Sequence, residues 1–257
     1  MVTELEILAD APASVDARRF ALQPEIIVLQ FGSLGEQART LNRAAALIER
    51  AGFPRDRPLA DAELESRIRA SGNTPDTLYY GHDYRAVDLL RFFDESERAG
   101  LVLTNEELSL KRELKRWGWR PGTNAALISL VRDDPATGVD HGVRATILRH
   151  ELSHGLYFVN PDYAAYARQF WTGTMSAGER RSFRTFLRNE GYDTEIEDLV
   201  VNETQAYLMH TQDSRFFNAA AVGIPPARLD ALRVLFLTGM PPSWLRDCTT
   251  VAGRPTK

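Results

Sequence analysis

The sequence predicts a mainly helical α+β protein. Two observations lead there. Four segments carry the capping-box pattern of a helix start, a Ser or Thr followed three residues later by Glu, and only two apolar runs have the length and bounding turns of strands. Composition agrees: 257 residues with 44% hydrophobic and 26% charged side chains describe a globular chain able to bury a real core.

Taken in order, Ile26, Ile27, Val28 and Leu29 form a β-branched apolar run that reads as an early strand. Helices are expected to start at Ser33 with Glu36, Thr104 with Glu107, Ser176 with Glu179, and Thr194 with Glu197. Gly52, Gly118 and Gly191 suit the left-handed position after a helix. Two prolines make Phe53 to Pro58 a turn, and helices without a capping box are expected near Asp61 to Ala70 and Tyr84 to Arg98. The stretch Ala125 to Val131 is short and apolar. It lies between turns at Pro121–Gly122 and Asp133–Gly138, which makes it the later strand. The division expected is a helical N-terminal half over 1–120 and a strand-then-helix half over 121–257 that carries the chemistry. The two form separate lobes or one continuous domain.

Charge excludes several partners. With 31 basic and 35 acidic residues the net charge is -4, so no global field recruits nucleic acid. Lys111, Arg112, Lys115, Arg116 and Arg120 recur at the spacing of one solvated helix face. Cys248 is the single cysteine, which rules out an intrachain disulfide and a thiolate cluster; a bound metal would have to use His and carboxylate. No run approaches the roughly 18 to 20 apolar residues of a membrane span. The stretch Met1 to Phe20 lacks the charged-then-apolar order of a signal peptide. A soluble chain is expected. The compartment, cytoplasmic or exported after removal of a signal or anchor, stays open.

The chemistry concentrates in His150, Glu151, Leu152, Ser153 and His154. On a helix, residues four apart share a face, so both imidazoles can reach one Zn2+ ion while Glu151 stands beside a water on that ion. This is the HExxH pattern. With 5 His and 18 Glu in the chain, random placement would produce it with a probability of roughly one per cent. Val143, Ile147, His150, His154 and Phe158 follow helical spacing, and Asp140 suits the N-cap. The competing reading is a pair of hydrogen-bonded core histidines with Glu151 in a salt bridge. Two buried imidazoles need partners that a metal supplies more simply.

A catalytic zinc site needs a third protein ligand. No histidine follows His154 closely, which excludes the metzincin arrangement. The helix expected from Thr194 has an inward stripe of Ile196, Leu199, Val200, Glu203, Ala206 and Tyr207, so periodicity assigns Glu203 to the core. A carboxylate there is costly unless paired or bound to metal; an arginine partner is the plainer alternative. Glu195, Glu197 and Asp198 lie off the stripe.

HExxH on one helix, with a glutamate on a later helix inside Asn202, Glu203, Thr204, Gln205, Ala206 and Tyr207, resembles the gluzincin group of zinc metallopeptidases. The resemblance spans about residues 125 to 210. It implies a zincin-like core with the active-site helix beside a small sheet, Zn2+ on His150, His154 and Glu203, and Glu151 as general base for hydrolysis of a peptide or protein substrate. It also implies that the strand Ala125 to Val131 is an exposed edge able to pair with an extended peptide; the alternative is an ordinary core strand. In the best-known members an aspartate four residues after the ligand glutamate orients a histidine; here that position is Tyr207.

A donor for the developing oxyanion is also expected. His210 lies one heptad beyond Glu203, about 10 Å along the axis, so it could reach substrate but hardly the ion. Tyr207, Tyr157 and the loop residue His82 are rivals, and each also has a structural role open to it. Beside the peptidase stand two other classes: a zinc hydrolase acting on a non-peptide bond, and a non-catalytic zinc-stabilised binding protein, which would have no need of Glu151.

Overall fold

The computed structural model describes residues 1–249. In chain order its elements are α1 (Glu4–Ala9), β1 (Asp16–Phe20), β2 (Gln23–Phe31), α2 (Leu34–Ile48), α3 (Asp61–Ala70), β3 (Gly81–Arg85), α4 (Ala86–Arg98), α5 (Asn105–Arg116) and β4 (Ala126–Val131). There follow α6 (His141–Val159), α7 (Pro161–Gln169), α8 (Ala177–Glu190), α9 (Glu197–His210), α10 (Ala219–Val222), α11 (Pro226–Gly239) and α12 (Trp244–Cys248). The protein is a mainly helical α+β chain with one small mixed sheet.

Local chemistry sets most helix starts. Ser33, Thr104, Ser176 and Asp140 each accept a hydrogen bond from the backbone N–H three residues on, satisfying a donor that the first helical turn leaves free. Gly52, Gly118 and Gly191 lie at φ 78°, 76° and 94°. The start expected at Thr194 is not where α9 begins. That helix starts at Glu197 behind Ile196, which offers no side-chain cap, and the Glu197 carboxylate is drawn away by Trp171 Nε1 at 2.7 Å and by Arg184.

The sheet runs β1-β2-β4-β3, antiparallel between β1 and β2, parallel between β2 and β4, antiparallel between β4 and β3. Every residue of β4 is buried, as a strand covered on both faces requires. The expected role of Ala125 to Val131 as an exposed edge is therefore overturned: β4 is flanked on both sides, and the edge is β3. Tyr84 and Arg85, expected at the head of a helix, are the end of that strand, and α4 starts at Ala86. Since β1, β2 and β3 all precede residue 120, the N-terminal half supplies sheet as well as helix. One apolar core runs from Val2 through the sheet to Val159, across the 120/121 division.

Helix α6 packs on one face of this sheet and joins it to a second core built from α6, α7, α8, α9 and α11. The approach is close because Gly155 has no side chain; a Cβ there would stand 2.8 Å from Ile26 Cδ1. At its other end α6 is anchored by Arg144, which is 1% exposed and donates to the carbonyls of Ile7, Leu8 and Asp10 and to Gln30 Oε1. These contacts engage both terminal nitrogens of the guanidinium and hold α1 and β2 against the helix. The helix that carries the HExxH residues is thus fixed to the sheet on one side and to α9 on the other.

Candidate metal centre

His150 and His154 lie one turn apart on α6, and α9 packs across them with Glu203 pointing at both. The two Nε2 atoms are 3.0 Å apart. Glu203 Oε2 is 3.6 Å from His150 Nε2, and Oε1 is 3.6 Å from His154 Nε2. Three ligands at the roughly 2.0 to 2.1 Å of zinc–nitrogen and zinc–oxygen bonds, set at tetrahedral angles, would lie about 3.3 Å from one another. The observed triangle brackets that edge.

Hydrogen bonding leaves this cluster incomplete. Both Glu203 oxygens, Glu151 Oε2 and His154 Nδ1 are buried without a partner. Glu203 is 1% exposed and His154 0%. Burial pushes the Glu203 carboxyl up to about 8, with Asp83 adding to the shift and His154 opposing it. Glu151 is raised well above the ordinary range, chiefly by burial and then by Asp83, Glu203 and Glu49. Burial lowers His150 to about 4, so its imidazole is neutral at physiological pH, the form that ligates metal. Orphaned carboxyl oxygens facing two imidazoles are what a divalent cation would satisfy.

The outer contacts are unequal. Thr211 Oγ1 lies 2.7 Å from His150 Nδ1 and donates its own hydrogen to the carbonyl of Ala206. Thr211 therefore accepts from His150 Nδ1–H, and the Nε2 lone pair is left facing Glu203. His154 has no such support. Tyr207, four residues after Glu203, stacks edge-on against His150 with centroids 4.8 Å apart.

Strand β3 lines two clefts, one of which opens on the cluster. The first, about 360 Å³, exposes His150 and Glu151 between Tyr80, Gly81, Tyr207 and Thr211. Gly81 sits directly on the base: a Cβ there would collide with the Glu151 carboxylate and stand 2.9 Å from its Cγ. The second, about 170 Å³, lies beyond Asp83 and is walled by Glu49, Arg85, Asp88, Phe158 and Asn202. Asp83 Oδ2 is 3.8 Å from His154 Nε2, and Asp83 with Glu151 and His154 forms a second set of ligating atoms, all within 4.8 Å of one another.

The structure brings His150, Glu151, His154, Glu203 and Tyr207 together and leaves the other named residues apart. His210 lines a separate hollow with Glu4, Arg149 and Cys248, which corrects the expectation that it reaches substrate: one heptad carries it out of the first cleft. His82 is not in a loop. It points from β3 to the opposite face of the sheet, where Nδ1 meets Gln37 and Ser129. Tyr157 donates to Asp198 Oδ1 at 2.7 Å. Asp83, Glu49, Thr211 and Gly81 were not singled out by sequence. The Gly81-His82-Asp83-Tyr84-Arg85 alternation, with His82 and Tyr84 buried, was the signal for a strand that would carry two of them to the site. No protein-family model matches the chain, and no curated protein and no solved structure matches it.

Proposed function

We propose that the chain is a zinc-dependent hydrolase of peptide bonds, of the gluzincin type. The observation that carries this reading is the triangle of His150 Nε2, His154 Nε2 and the Glu203 carboxylate, with Glu151 beside it at the floor of an open cleft. Bound by these three side chains, zinc would polarise a carbonyl and acidify a coordinated water.

The chain's own groups supply the rest. Glu151 Oε2 is free of hydrogen bonds, so it can accept a proton and later return it to a leaving amine. Gly81 holds that carboxylate on one side. Thr211 orients His150, and Tyr207 and Tyr80 form polar walls within the cleft. A peptide substrate is favoured over other esters or amides by β3, an edge strand that borders both clefts and lies against Glu151 at Gly81. Such an edge binds extended main chain with little regard to sequence. The antiparallel edge strand next to the HExxH helix also supports a zincin-like core.

The test is cleavage of a mixed peptide library by zinc-loaded protein, by chelator-treated protein, and by Glu151→Gln carrying a full equivalent of zinc. Activity only in the first supports the reading. Cleavage that survives in the zinc-bound Glu151→Gln variant overturns it.

A further inference from the structure

The second cleft holds more carboxyl groups than a metal centre uses. With a dication at the triad, Glu203 and Glu151 together balance its charge. Asp83, Glu49 and Asp88 are left over, and all three line the 170 Å³ cleft. Glu49 is 4% exposed, yet among the described residues its carboxylate has neither a hydrogen bond nor an ion pair, and Asp88 has none either. Burial, with Asp83 and Glu203 adding and Arg55 and Arg50 opposing, pushes the Glu49 carboxyl well above the usual range, so it keeps its proton until something cationic comes to it.

Among the described residues no neighbouring arginine forms an ion pair with Glu49 or Asp88, and Arg91 donates to the carbonyl of Arg55. Arg85 binds Asp198 and stacks on the Phe158 ring 5.0 Å away. Asp198 in turn takes Tyr157 and Arg168. Arg50 donates to the carbonyl of Glu190 and packs over Tyr79. Arg55 pairs with Asp193 at 3.0 Å and with the carbonyl of Ile48. A second metal ion is disfavoured, because the only nitrogen donor near Asp83 is His154 Nε2, already turned toward His150 and Glu203, and Glu49 is not part of the ligating set of Asp83, Glu151 and His154.

We propose that this cleft is a subsite for an organic cation of the substrate, a primary ammonium or a guanidinium held between Glu49 and Asp83. The assignment rests on the peptidase reading for the direction of the substrate. In a peptide antiparallel to β3, the residues N-terminal to the scissile bond lie beside Asp83 and Arg85, and those C-terminal to it lie beside Gly81 and the larger cleft. The cation is then a free N-terminal amine or a Lys or Arg side chain on the N-terminal side. Charge-assisted hydrogen bonds to a buried carboxylate pair would make its presence the main determinant of affinity.

Four fluorescent versions of one peptide separate the sources: Arg or its neutral isostere citrulline at one position, each with a free or an acetylated N-terminus. Dissociation constants are measured on the zinc-loaded Glu151→Gln protein. Removing one of the two cations weakens binding at least tenfold, and the difference shrinks below twofold in Glu151→Gln/Glu49→Gln. Should that variant not fold, Asp88→Asn at the same cleft reduces the discrimination instead. Equal affinity for all four peptides, no measurable affinity for any, or discrimination that survives both substitutions overturns the subsite. So does a second equivalent of zinc that is lost with Glu49→Gln. Turnover of the same peptides by the wild-type chain reports separately on the peptidase reading, so discrimination without cleavage would retain the subsite and remove the peptidase.

Discussion

Thr211 Oγ1 accepts a 2.7 Å hydrogen bond from His150 Nδ1, across the junction between the end of α9 and the HExxH helix. Because the Thr211 hydroxyl donates to Ala206, it has no hydrogen to offer the imidazole, and the tautomer with Nε2 unprotonated follows. The helix that supplies Glu203 thus also sets the state of the first histidine. Thr211→Val keeps the shape and removes the acceptor. It should weaken zinc affinity about 10- to 100-fold, while Thr211→Ser keeps it within a few-fold. Competition with a chelator of known affinity measures both; equal affinities in the two variants would remove the role given to the hydroxyl.

Glu203→Ala should lower zinc occupancy sharply, together with the stability that metal binding adds. Glu195→Ala and Glu197→Ala are the controls. Glu195 makes no metal-facing contact, and Glu197 is engaged by Arg184 and Trp171, so neither should lose zinc after dialysis against a weak chelator. A full equivalent retained by Glu203→Ala would show that Glu203 is not the third ligand.

These residues differ in how far they could be read from sequence. The HExxH helix and its Asp140 cap are local, and so are the caps at Ser33, Thr104 and Ser176; each depends on a few consecutive side chains. Glu203 was legible because a carboxylate on an apolar stripe is anomalous at any distance from its partner. The Thr194–Glu197 pair has the same letters as a capping box, but tertiary contacts with Trp171 and Arg184 win the Glu197 carboxylate. Edge strands were the other loss. Asp16–Phe20 and Gly81–Arg85 are five residues each and largely polar, so neither makes an apolar run, although each pairs fully with a neighbour. Missing β3 hid Gly81 and Asp83, and it left the edge position that the gluzincin resemblance implies to fall on β4, whose apolar run equally suits a core strand.

Gly81→Ala tests whether β3 positions the general base. The new methyl group would displace the Glu151 side chain, since it would stand within 2.9 Å of Cγ even before the carboxylate is considered. A misplacement of about 1 Å at a reacting group costs on the order of a hundredfold in rate. The expected result is that kcat falls by about that factor while zinc stoichiometry stays at one, since the three atoms nearest the new methyl all belong to Glu151. Loss of zinc in parallel with activity would show instead that the substitution disturbs the whole site.

The last expectation concerns pH and uses the metal-free protein. Burial raises Glu203 from 4.5 to about 8, so between those values the folded chain holds a proton that the unfolded chain has released. Stability then falls as pH rises, by about 1.4 kcal/mol per pH unit for one such group. Glu151, raised well above its ordinary range, acts in the same direction. The buried histidines do not obscure this. His150 is lowered to about 4, and His82 and His210 to about 3, so their contribution to stability is complete once pH exceeds the unfolded value of 6.5 and is lost only below it. The clear window is therefore pH 6.5 to 8. There Tm in excess chelator should drop by at least about 4 °C. With saturating zinc it should rise, because binding requires the ionised carboxylate and releases its proton. Opposite slopes on the two sides of metal binding are the signature of Glu203 as a ligand; a flat or rising Tm in chelator would mean that its carboxyl does not hold the proton that burial assigns to it.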